Sequence, residues 1–288
     1  MESFDLASLV LRAASYYAVL RATGLTLAPL WARTIGDAER ARLDISVRRA
    51  ALAATALILA HRVVDSARLA GEWTGLADAR IEGLAWHSAA GAASLATAVG
   101  LLVMASGATV STRRPRTLGL WGGLLSVAGF ALTGHTHQPG VPPLVRGLVP
   151  VHLGLLAFWL GGIIVLSRAV RFTDAMRAAT LTRAFSVAAI WLVPLIAGVG
   201  LLISFSLLRG ISQLREPYGL GLLGKAAMYL ALIALAAYNR LLLLPRLAVD
   251  AAGARRGFAR SLRVEHVLVA AALVITAGIT TIWGLHRS

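Results

Sequence analysis

The sequence predicts an all-α polytopic membrane bundle of about eight transmembrane helices, with both termini outside. Three observations carry this. The 288 residues are 58% apolar, with a mean hydropathy of +0.74. Only 14% are charged, where a soluble domain carries about a quarter. Long apolar stretches also alternate with short basic segments, the pattern of a chain that crosses a bilayer repeatedly.

A span needs roughly 20 apolar residues to cross about 30 Å of hydrocarbon. Eight stretches qualify, approximately 7–31, 47–68, 84–106, 117–134, 146–168, 184–207, 219–241 and 263–284. The connections are too short to hold a soluble domain, so residues 1–288 read as one integral membrane domain. The first residues, Met1-Glu2-Ser3-Phe4-Asp5, are acidic where a signal peptide is basic, so the first stretch reads as a retained span. Glycines such as Gly122, Gly161 and Gly162 are expected to let helix backbones approach closely in lipid.

Orientation follows from the loops. The set 32–49, 107–116, 168–183 and 240–263 carries 18 Arg and Lys, and the opposite set with both termini carries 6. Basic loops stay in the cytoplasm, which places both termini outside, in the periplasm or its equivalent. The net charge of +15 is explained by the same bias, and nucleic acid is not an expected partner. The absence of cysteine excludes thiolate metal sites and disulfides.

Six of the seven histidines fall towards the outer face on this topology. His61 lies near the outer end of span two, His87 opens span three, His135 and His137 close span four, and His152 lies in the first turns of span five. His286 follows span eight, and only His266 starts a span from the inner side. Polar groups at membrane depth are costly and tend to be functional, and imidazole is a common ligand for copper, zinc and haem iron. In Gly134-His135-Thr136-His137-Gln138-Pro139-Gly140 the prolines that follow end the helix, and residues two apart on an extended chain point to one side. His152, Leu156 and Trp159 share a helix face. The expected metal ligands are therefore His135, His137 and His152, with His61 and His87 next in line. Each also has a plainer reading as an interfacial polar residue.

Four further charged groups lie within or at the ends of spans. Arg21 has no acidic partner in the nearby sequence, and snorkelling is its first explanation. Arg62 adjoins His61 and is within reach of Asp65. Lys225 is a candidate partner for an anion or carboxylate. Glu265-His266 stands at the inner entrance of span eight, where a salt bridge from Glu265 to Arg263 or Arg240 is the simplest role.

An ordered set of short elements carries a family resemblance. It runs through Gly134-His135, His152 to Trp159-Leu160-Gly161-Gly162, Arg183-Ala184-Phe185-Ser186 and Gly198. It continues through Tyr218-Gly219, Leu222-Leu223-Gly224-Lys225, Asn239-Arg240 with Pro245, and Leu262 with Glu265. In these elements, over roughly residues 120–284, the chain resembles the copper resistance protein D (CopD) family of bacterial inner-membrane proteins. The resemblance implies copper handling at the cytoplasmic membrane, described as uptake from the periplasm, with a small periplasmic copper carrier (CopC-like) as partner. Here Pro150-Val151 precede His152, where relatives often carry an acidic residue.

The leading expectation is thus a non-enzymatic copper-binding membrane protein that accepts copper at an outer histidine site and passes it inward. A second class stays open, a haem-binding electron-transfer protein using the same histidines as axial ligands. A third is a structural partner whose histidines hold no metal. The sequence contains no hydrolytic triad, phosphate loop or nucleotide fingerprint.

Overall fold

The computed structural model describes residues 2–108, 113–133, 141–208, 210–249 and 253–282, and among the described residues all regular structure is helical. In chain order the helices are α1 (Ser3–Leu27), α2 (Asp37–Ala70), α3 (Ala79–His87), α4 (Ala89–Gly107), α5 (Arg113–Ala128), α6 (Pro143–Phe172) and α7 (Ala175–Leu207). They are followed by α8 (Pro217–Tyr238), a π-helical turn over Asn239–Leu243, α9 (Leu244–Ala248) and α10 (Ala254–Thr281).

The helix boundaries have local causes. Asp78 accepts hydrogen bonds from the backbone of Arg80 and Ile81 and starts α3. Ser88 then accepts from Gly91 and starts α4, so the expected span 84–106 is broken in two at Ser88. Asp174 accepts from Arg177 at the head of α7. Prolines open α6 and α8, where the missing N–H costs nothing. Gly71 and Gly253 take left-handed backbone, φ 77 at each, which ends α2 and precedes α10.

Five helical segments are long and apolar enough to cross a membrane: Ala89–Gly107, Pro143–Phe172, Ala175–Leu207, Pro217–Ala248 and Ala254–Thr281. Thr117–Leu132 is a shorter apolar helix. The expected spans 7–31 and 47–68 fall on α1 and α2, which are not among these five. Near the end of α2, Arg62 and Arg68 turn towards Asp65.

Side-chain contacts fix which ends lie together. Arg68, at the end of α2, binds Asp5, at the start of α1, with Nε 3.2 Å from Oδ1. Its NH2 donates to the Thr281 carbonyl at the end of α10, 3.2 Å away. We call this the upper end. At the lower end, Arg177 of α7 donates to Glu39 of α2 at 2.8 Å. Arg255 of α10 caps the end of α6 through the carbonyls of Val170 and Thr173, at 2.6 and 2.8 Å. A cation is favourable at a helix C-terminus, where unpaired carbonyls gather.

The core is built on α1, α2, α4 and α6. A Cβ placed on Gly24 would collide with the Ala157 carbonyl, and one on Gly161 with the Gly24 carbonyl, so α1 and α6 cross backbone to backbone. Gly122 does the same for α5 on α4, where a Cβ would come 2.6 Å from the Gly100 carbonyl. Helix association in lipid depends on such close packing. By contrast α7 and α8 are peripheral, and only 11% of the apolar window of each is buried. Along these two helices α7 packs on α6 and α9, and α8 packs on α10.

Candidate functional site

His61 stands at the upper end inside a network drawn from α1, α2 and α10. Its Nδ1 lies 3.7 Å from Oδ2 of Asp65, one helical turn on. On the other side, Nε2 accepts from Nε of Arg12 at 3.3 Å, with Ser8 Oγ 3.2 Å away. Ser8 also donates to Asp65 at 3.2 Å, while Arg62 and Arg68 reach the same carboxylate at 3.3 and 3.6 Å. Arg12 then donates to the Thr280 carbonyl at 2.9 Å. Both ring nitrogens of His61 therefore have protein partners. Arg12, Ser8 and Thr280 have no signal in the sequence as members of this network, because they meet only through tertiary packing.

His152 is placed differently. It lies nine residues into α6, about 14 Å along the helix from its upper end. The ring meets the Ile196 carbonyl of α7, with the Lys225 ammonium of α8 close by. A Cβ on Gly200 would come 3.0 Å from the His152 Cε1, so α7 offers the ring a glycine surface. Nδ1 is buried and has no hydrogen-bond partner. A neutral imidazole nitrogen without a proton carries the lone pair that ligates a metal.

His87 is exposed at the end of α3 and does not open α4. His135 and His137 lie outside the described residues, as does His286. His61 and His152 share no partner: the first faces α1 and α10, the second α7 and α8. Among the described residues no group of three or more His, Asp or Glu side chains is arranged to hold a metal ion.

Two further polar groups lie deeper. Glu265 and His266 lie within α10, which starts at Ala254, so Glu265 stands about 16 Å along the helix from its first residue. His266 bonds the Tyr17 hydroxyl of α1 at 2.7 Å, and Arg21 lies beside both. Arg21 thus stands by Tyr17 of its own helix and by His266 of α10. Glu265, 3% exposed, makes no ion pair with Arg263 or Arg240. It accepts instead from Nδ2 of Asn239. The indole Nε1 of Trp159 points at the same carboxyl without normal hydrogen-bond geometry.

These three side chains line a cavity of about 250 Å³ between α6, α7, α8 and α10. Its remaining walls are mostly aliphatic and aromatic, with Arg240 and Ser186 at the lower rim. Arg240 donates to the Ser186 carbonyl at 2.9 Å. The π-helical turn begins at Asn239 itself, so the irregular backbone coincides with the residue that holds the carboxyl. Asn239 was legible in the sequence only as part of the family pattern.

Long apolar helices, charged groups turned inward and a buried carboxyl between helices define a polytopic helical membrane protein. The family model described as Copper resistance protein D (CopD) matches residues 179–279. No curated protein and no solved structure matches the chain. The matched stretch runs from α7 to the last turn of α10 and contains Lys225, Asn239, Arg240 and Glu265. His152 and the 134–140 segment lie before it.

Proposed function

We propose that this chain is a copper-handling protein of the bacterial cytoplasmic membrane that takes copper at its upper, periplasmic end and passes it inward. In this reading it spans the membrane eight times with both termini in the periplasm. The eight spans are α1, α2, α4, α5, α6, α7, α8 and α10. The excess of Arg and Lys on the opposite loops supports that orientation.

The observation that carries the proposal is the CopD match over residues 179–279. Its first helix, α7, forms the wall against which His152 rests. Copper is the cargo, and His152 is its first ligand through the unpartnered Nδ1. His135 and His137, 17 and 15 residues before His152 in the sequence, complete the set, and a periplasmic carrier of the CopC type delivers the ion. An all-nitrogen set suits Cu(II) or a two-coordinate Cu(I). His61 serves the upper clamp, because a guanidinium occupies its Nε2. His87 stands apart at the surface.

The test is copper analysis of protein purified in mild detergent. Wild type should retain copper, and the His135→Ala/His137→Ala/His152→Ala variant should lose it. Equal copper in both would remove the histidine site, and a Soret band in the wild type would turn the reading towards haem.

A further inference from the structure

We propose that the cavity beside Glu265 binds a hydroxyl-bearing aromatic amphiphile of the isoprenoid quinol class, which enters sideways from the lipid between α7 and α8. The inference does not depend on copper.

The size and walls of the cavity set the shape of the occupant. Its volume is about 250 Å³, below the roughly 300–1,000 Å³ of clefts that enclose a whole drug-sized ligand. It holds one substituted ring and leaves a tail outside. Trp159, Phe185 and Phe258 line it, and aromatic walls suit a flat ring.

The mouth faces lipid. Of the lining residues, Ile190 and Pro194 on α7 and Ala237 on α8 are exposed; α8 packs chiefly on α10 and meets α7 here through the Tyr229 hydroxyl, which donates to the Val193 carbonyl. Pro194 within α7 and the π-helical turn after α8 interrupt regular backbone on both sides of the opening. Insertions of this kind inside helices often mark functional sites.

The buried polar atoms set the chemistry. Asn239 is 7% exposed and Trp159 4%, and both contribute atoms with no hydrogen-bond partner, Oδ1 of Asn239 and Nε1 of Trp159. A buried polar atom left unpaired is costly. The Asn239 amide N–H₂ already serves Glu265, so its orphan carbonyl needs a donor, and the indole, which faces the Glu265 carboxyl without normal geometry, can also give its N–H to a better placed acceptor. A ring hydroxyl supplies both from one oxygen. An acyl chain supplies neither, and a phosphate adds acceptors and negative charge next to a carboxyl. The neutral hydroxyl is the group that fits.

The probe is a short-tailed ubiquinol analogue, kept reduced, titrated into the full chain in phospholipid nanodiscs and followed by equilibrium binding. Wild type should bind it saturably. Asn239→Leu should weaken binding about tenfold or more, the scale of one lost buried hydrogen bond. Ile190→Trp narrows the mouth from a lipid-exposed position that folding does not use, and should also block binding. Lys225→Met, outside the cavity lining, should bind as wild type does. No saturable binding by the wild type overturns the proposal, as does unchanged binding by Ile190→Trp. Phospholipid instead of quinol recovered from the wild type on solvent extraction overturns it as well.

Discussion

Arg12 directs its Nε at Nε2 of His61 from 3.3 Å, so a guanidinium stands where a metal ion would otherwise approach that ring. The same arginine holds the Thr280 carbonyl at the end of α10. His61 therefore belongs to a clamp that ties α1, α2 and α10 together. Replacing Arg12 with Ala should destabilise the protein by about 1–3 kcal/mol, because His61 and the Thr280 carbonyl lose a charged donor. Copper content should stay unchanged. Thermal unfolding in detergent with parallel copper analysis checks both, and loss of copper at full stability would return His61 to the metal site.

Lys225 lies beside His152, and a like charge opposes a bound cation. Lys225→Met should raise apparent copper affinity by about threefold to tenfold, the effect of removing one partly screened charge. Copper titration of the two proteins at one ionic strength gives the ratio. A weaker site in the variant would show that the ammonium serves the ion instead of repelling it.

Gly24 and Gly161 mark the backbone crossing of α1 and α6. Gly161→Leu should cost at least about 1–3 kcal/mol through overpacking, seen as earlier aggregation on heating. Gly147→Leu, on the same helix but with open space around its Cβ, should be near neutral. Equal effects from the two would mean that α1 and α6 do not meet as described.

Asn239 and Glu265 form a buried pair. Asn239→Leu in the wild type leaves the carboxyl without its donor and should cost about 1–3 kcal/mol. In a Glu265→Leu background the same change should cost much less, since the two residues act as one unit. A double-mutant cycle on unfolding midpoints measures the coupling, and additive effects would contradict the pair.

The all-helical membrane class was legible because hydropathy reports it directly. The CopD resemblance was legible in short elements of α7 to α10, such as Leu222-Leu223-Gly224-Lys225. Helix ends were less so. Residues 254–262 carry three arginines and read as a basic loop, yet they form the first turns of α10. The histidines show a second limit. Height along a helix follows from residue number, but the direction a side chain faces depends on which neighbours pack beside it. His61 and His152 had similar expected heights and turn to different helices. Their separation, and the Arg12 contact, exist only in the packed bundle.

The central claim, that His152 ligates copper through a free Nδ1, is tested most directly by the copper-to-protein ratio of His152→Ala against wild type, with both proteins monodisperse in mild detergent. The ratio should fall severalfold in the variant while His61→Ala keeps the wild-type value. An unchanged ratio in His152→Ala would contradict it.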